Sequence, residues 1–163
     1  MEFTHRFREG SFEGYVLEVE PRFFLIAALD ERLSFDGFLC VRVSDVRGLQ
    51  VPSEYAAFRE AVLKKRHERK PRKPRVSVLS IEELLLSANR VFPLVVICRD
   101  QIKRNVCWVG RILKISKGRV TFLQINPDAV WEEEPVEYKL SEITRVEFGG
   151  GYEEALSLVG GLP

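Results

Sequence analysis

Histidine is nearly absent from this chain: His5 and His67 are the only two in 163 residues, and they lie far apart. With so little histidine, a Ser-His-Asp or Cys-His site is hard to compose. Cysteine is almost as scarce. Cys40, Cys98 and Cys107 are odd in number, contain no C-x-x-C pair, and each sits in an apolar alternating run. Three reduced core cysteines and no zinc site are therefore expected. No stretch approaches the ~18 uninterrupted apolar residues of a membrane span. The opening MEFTHRFREG has no apolar core of signal-peptide length. A cytoplasmic protein with no membrane partner is the expectation. The glycines at 149–151 and 160–161 lack the lysine and hydroxyl that a phosphate loop requires, so they read as turns and helix ends. The acidic run Glu132-Glu133-Glu134 beside Trp131 reads as a solvated loop rather than a metal site. No cofactor, metal or catalytic residue is assigned.

What the chain has in abundance is positive charge in one place. Residues 64–75 read KKRHERKPRKPR, with eight cations and one acid in twelve positions. The net charge of +1 thus divides into +7 within this stretch and −6 over the other 151 residues. The folded parts lack the basic surface usual for a duplex-binding domain.

Self-comparison exposes a repeat. At an offset of 96, Phe12 falls on Trp108, Gly14 on Gly110, Val16 on Ile112, Leu17 on Leu113, Phe24 on Val120, Asp30 on Asn126 and Phe35 on Trp131. One extra residue enters near Glu132–Pro135. At an offset of 97, Leu39 then matches Val136, Val41 Tyr138, Ser44 Ser141, Leu49 Val146, Val51 Phe148 and Tyr55 Tyr152. A single gap keeps the apolar pattern in step for about 40 positions, which reads as an internal duplication.

Each copy reads as short strands. The first has Glu2–Arg8, Phe12–Glu20, Phe23–Leu29, Phe38–Val43 and Arg47–Val51; the second has Leu94–Cys98, Val106–Ser116, Arg119–Ile125, Val136–Leu140 and Thr144–Phe148. Five strands in ~55 residues argue for a small, strongly bent barrel. Gly14 and Gly110, inside strand patterns, mark a bend at matching positions. Ser53 is a candidate N-cap for a helix running to about Arg69, with Tyr55, Phe58, Ala61 and Val62 on one face. Ser80 and Glu83 form a capping box, with Leu79 and Leu84 placed as a staple and Ile81, Leu84, Leu85 and Ala88 on the apolar face. A short helix from Tyr152 to about Val159 ends the second copy. The organisation is then 1–69, a barrel plus helix; 70–78, a basic Pro-containing linker; and 79–163, a helix, a second barrel and a short helix.

The bent strands around FEGYVLEV and WVGRILKI, and the VRGLQV passage with its Arg-Gly step, resemble small SH3-like barrels and among them the Sm-like fold. Tandem barrels of this kind also resemble bacterial proteins of no assigned activity. The fold class expected is mainly β with α: two tandem SH3-like (Sm-like) barrels, each followed by a helix. Sm proteins are RNA-binding rings, so the resemblance allows that function, with Asp30 and Asn126 near the positions of the Asp and Asn that hold uridine. Copy two departs from the pattern, having Thr144-Arg145 where copy one has Arg47-Gly48.

Binding is the default class. The leading reading is a non-enzymatic protein-interaction module, adaptor or immunity-type, with an unknown protein partner at exposed strand edges. Phe23, Phe35, Phe38, Trp108 and Trp131 are aromatic candidates, each more easily placed in a barrel core. The alternative is RNA or single-stranded DNA binding, with phosphates on Lys64, Lys65, Arg66, Arg69, Lys70, Arg72, Lys73 and Arg75 and bases on a barrel face. A weaker third is an enzyme with an unrecognised site. The linker's own role is an extended spacer that its prolines and like charges stiffen, holding the barrels apart. It can also lie against acidic barrel surface, the triple glutamate included.

Overall fold

Strand periodicity and turn residues place the elements close to where the sequence puts them. The computed structural model describes residues 1–7 and 9–163. The first copy runs β1 (Glu2–His5), β2 (Ser11–Val19), β3 (Phe23–Leu29), β4 (Phe35–Arg42), a 3-10 turn (Val43–Asp45), β5 (Val46–Gln50) and helix α1 (Ala56–Lys65). A connector leads to α2 (Ile81–Val91). The second copy follows with β6 (Val95–Cys98), β7 (Cys107–Ser116), β8 (Arg119–Ile125), β9 (Val136–Lys139), a 3-10 turn (Leu140–Glu142), β10 (Arg145–Phe148) and α3 (Gly151–Gly160).

The strands join a single antiparallel sheet in the order β5-β1-β2-β3-β4-β10-β6-β7-β8-β9. This corrects the expectation of two separate barrels held apart by a stiff linker, because the sheet is open and the copies share it. At the seam β4 pairs with β10, Val41 opposite Arg145 through Phe38 opposite Phe148. The physical reason is edge chemistry. A five-strand set that does not close leaves two rows of unpaired backbone groups, and joining β4 to β10 satisfies one row from each copy.

Within the copies the registers coincide. Gly14 faces Ala28, Val16 Ile26 and Glu18 Leu25 in the first; Gly110 faces Gln124, Ile112 Phe122 and Lys114 Thr121 in the second. Each partner is displaced by 96, and both β2 and β7 carry a bulge at the same place, Leu17 and Leu113. The bulges bend the strands, and the glycines permit it. A Cβ on Gly14 would lie 2.3 Å from the Ala27 carbonyl oxygen, and one on Gly110 2.0 Å from that of Leu123.

The largest core lies over the seam. It takes Phe23, Leu25 and Cys40 from the first copy and Ile97, Phe122, Val146 and Phe148 from the second. Leu84, Leu85 and Ala88 of α2 cover it, as do Val76 and Val78 from the end of the connector. The α2 face and N-terminus agree with the sequence pattern: the Glu83 amide donates to Ser80 Oγ at 3.1 Å. The staple does not form, since Leu79 is exposed, and only half of the capping box forms, because the Glu83 carboxylate accepts from Ser77 Oγ rather than from the Ser80 amide. Helix α1 differs more. It begins after Tyr55, ends at Lys65 rather than Arg69, and buries Leu63 while Tyr55 and Phe58 face solvent. His67, in the left-handed region at φ 58°, turns the chain out of the helix.

Candidate functional site

The eight connector cations are all exposed, but they are not equivalent. Glu68 anchors the segment to the β3–β4 loop, its carboxylate accepting from Ser34 Oγ at 2.6 Å and from the Phe35 amide at 3.0 Å. The same bonds hold its carboxyl below the usual range. Arg66 donates to the Arg32 carbonyl, Lys70 lies 5.4 Å from the centre of the Tyr15 ring, and Lys73 pairs with Glu18. The connector is thus laid along the first copy, and its acidic contact is Glu18 rather than the triple glutamate. Lys64, Lys65, Arg69, Arg72 and Arg75 make no ion pair among the described residues.

Asp30 and Asn126 have another occupation. Asp30 Oδ1 accepts from the amides of Arg32 and Ser34, and Asn126 Oδ1 from those of Asp128 and Val130. These are matching Asx turns that close the loop after β3 and after β8, each containing a residue in the left-handed region, Leu33 and Ala129. Their side-chain oxygens build loops.

A cleft of about 810 Å³ opens between the copies beside the N-terminus of α2. Arg22, Val43 and Ser44 line it from the first copy and their repeat partners Gly118, Leu140 and Ser141 from the second. Arg42 crosses here, donating to the carbonyls of Ser141 and Ile143, so its charge is already engaged in holding the seam. Of the five aromatic candidates, Phe23 is buried and Phe35, Phe38, Trp108 and Trp131 are half-buried in the packing.

Exposed apolar side chains occur on α3, where Leu158 and Val159 are the most exposed among the described residues, and at the two ends of the sheet. Leu49 and Val51 at β5 are 60% and 67% exposed, whereas their repeat partners Val146 and Phe148, paired at the seam, are 1% and 0% exposed. At the other end Val136 on β9 is 41% exposed, against 3% for its partner Leu39. Tyr55, just before α1, and Phe58 within it are exposed as well, as is Val130 in the loop between β8 and β9. The positions of Leu49, Val51 and Val136 are core at the seam and surface at the ends, whereas Tyr138 on β9 is buried like its partner Val41. At the seam a neighbouring strand lies alongside these positions, and at the ends none does.

Two features were not anticipated. Cys98 and Cys107 are bonded as a disulfide with Cα atoms 4.4 Å apart, which corrects the reading of three reduced cysteines; Cys40 is buried and free. Antiparallel pairing of β6 with β7 sets the two directly opposite each other, a juxtaposition invisible to a search for close spacing along the chain. Arg145 is the other. Its guanidinium is buried against Asp100 at 3.4 Å, pairs with Glu147, and lies 3.2 Å from Cys107 Sγ and 5.0 Å from the Phe12 ring centre.

No protein-family model matches the chain, and no curated protein or solved structure matches it.

Proposed function

We propose that this is a non-enzymatic binding protein, built of two SH3-like (Sm-like) units from one duplication, that takes a protein strand at its open sheet edges. One observation carries the reading: Leu39, Val146 and Phe148 are buried at the seam, while their partners Val136, Leu49 and Val51 are exposed at the sheet ends, which have no neighbouring strand. Such an edge adds an extended segment through main-chain hydrogen bonds, with side-chain contacts supplying the choice of partner. The partner is a protein, as for an adaptor or immunity-type module. A photocrosslinking residue at Leu49 or Val136 tests this, with the same residue at Leu113, exposed on β7, as control. Adducts of discrete mass from the two edge positions are expected in extract of the source cells. Equal adducts from Leu113, or none from the edges, would sink the proposal.

A second reading rests on the five unpaired cations of the connector region. They suit the phosphates of RNA or single-stranded DNA, and five contacts at ~0.7 per phosphate give a log–log salt slope of about −3.5. Titration of oligouridine and oligothymidine across salt measures that slope. It should collapse when Lys64, Lys65, Arg69, Arg72 and Arg75 become Gln; no binding at low salt, or an unchanged slope, removes this reading.

A further inference from the structure

We infer that Cys98, Cys107 and Glu147 form, once the disulfide is reduced, a binding site for a soft divalent metal ion of the zinc class. Three strands build it. β6 and β7 set Cys98 opposite Cys107, and β10 beside β6 sets Arg145 opposite Cys98, with Glu147 two residues further on the same face. Both sulfurs and a Glu147 carboxylate oxygen lie within 4.8 Å of one another. Cys98 is buried, while Cys107 and Glu147 are half-buried, so the cluster has an inner wall and a solvent side. An ion can enter by that side, and water can complete a tetrahedral set of two thiolates and one carboxylate.

The charges favour a cation in the reduced state. Asp100 and Glu147 already share Arg145, the one buried guanidinium among the described residues, whose Nη2 also lies 3.2 Å from Cys107 Sγ. Two thiolates would add two negative charges with no further buried partner, a costly state that a dication relieves. A dithiol gives two electrons and its two protons to the Cys98–Cys107 bond and becomes a disulfide, or a phosphine gives two electrons while water supplies two protons and the oxygen of the phosphine oxide; either way the bond breaks to two thiols. The metal then displaces two thiol protons to solvent as two metal–sulfur bonds and one metal–oxygen bond form.

The first copy shows that the fold does not need a disulfide here. Its β1–β2 pair places Thr4 opposite Ser11, the positions equivalent to Cys98 and Cys107, and Gln50 stands where the second copy has Glu147. The β1–β2 pairing thus holds with a hydroxyl pair, while the β1–β5 pairing carries a register shift that β6–β10 lacks. Only the second copy carries the softer, ionisable set.

The test uses the full chain, reduced with a phosphine that is then removed without air, and titrated with Cd²⁺ and Zn²⁺. A thiolate-to-cadmium charge-transfer band saturating at one ion per chain is expected, together with slower alkylation of two thiols in the Zn²⁺-loaded protein. The oxidised protein and the Cys107→Ser variant should show neither; that serine is tolerated by the fold is indicated by Ser11 at the matching place. Glu147→Gln should weaken binding by ~10-fold or more, since even outer-shell changes cost 10–100-fold. Cys40→Ser should leave the titration unchanged. No band in the reduced protein, a band that survives Cys107→Ser, or affinity indifferent to Glu147→Gln would overturn the assignment.

Discussion

Replacing Arg145 with leucine should be among the most damaging single changes in this chain. The side chain is 1% exposed and Asp100 is 0% exposed, with Nε to Oδ2 at 3.4 Å and Nη2 to Oδ1 at 3.5 Å. Leucine removes the cation and leaves a carboxylate that no water reaches. The Thr144 hydroxyl, 2.7 Å from Asp100 Oδ2, is a single neutral donor that does not replace a guanidinium. Breaking a buried pair from one side costs about 3–5 kcal/mol. Packing against the Phe12 ring is lost as well, so the upper half of that range is expected. Since a domain's whole stability is about 5–15 kcal/mol, the variant should lie near the edge of folding. Equilibrium urea unfolding by tryptophan fluorescence measures the loss, with the disulfide intact in both proteins. The companion Arg145→Leu/Asp100→Leu removes both charges and should recover most of the deficit, because an apolar pair of similar volume is often neutral relative to the ion pair. A single-variant cost below ~1 kcal/mol, or a double variant no more stable than the single one, would refute the argument.

Three further outcomes follow from the same structure. Gly110→Ala forces Cβ to 2.0 Å from a strand carbonyl and should cost at least the ~1–3 kcal/mol of overpacking. Gly118→Ala has open space around it and should show only the smaller penalty of φ 72°; equal costs in thermal melts would contradict the bent-strand account. Because both copies share one sheet and the largest core cluster, urea unfolding followed by far-ultraviolet dichroism and by fluorescence should give one coincident transition, and two separated midpoints would show independent halves. Burial, assisted by nearby Glu147 and Asp36, raises the Glu153 carboxyl above its ordinary 4.5. The folded protein therefore holds this proton more tightly than the unfolded chain, and stability falls as pH rises from 4.5 through the raised value. Glu153→Gln should flatten that decline and stabilise the protein at neutral pH; an unchanged profile in urea midpoints against pH would count against it.

Much of the local structure was legible along the chain. Alternation located the strands to within a few residues, Ser80 and Glu83 marked the start of α2, and the paired glycines marked the bends. The repeat at offsets of 96 and 97 reappears in the strand registers themselves. Less was legible wherever two distant segments meet. Tyr55 and Phe58 have helical spacing, yet Leu63 is the residue buried, since a short helix turns toward whatever surface it finds. The functional surfaces were only partly visible: the basic run could be read directly, but which cations stay unpaired depends on Glu18, Ser34 and Tyr15 lying beneath it.

Sequence by itself determined the alphabet of this protein: ten short strands, their bends and turns, two matching copies and one concentrated stretch of positive charge. Those features follow from φ/ψ preference, side-chain alternation and charge, which act between residues close along the chain. Tertiary structure decided that the copies share one sheet through β4 and β10, that Cys98 meets Cys107, and that Arg145 is enclosed with Asp100. It also decided which apolar positions face water. Leu49 and Val146 occupy the same place in their copies, and only Val146 has a strand alongside to cover it.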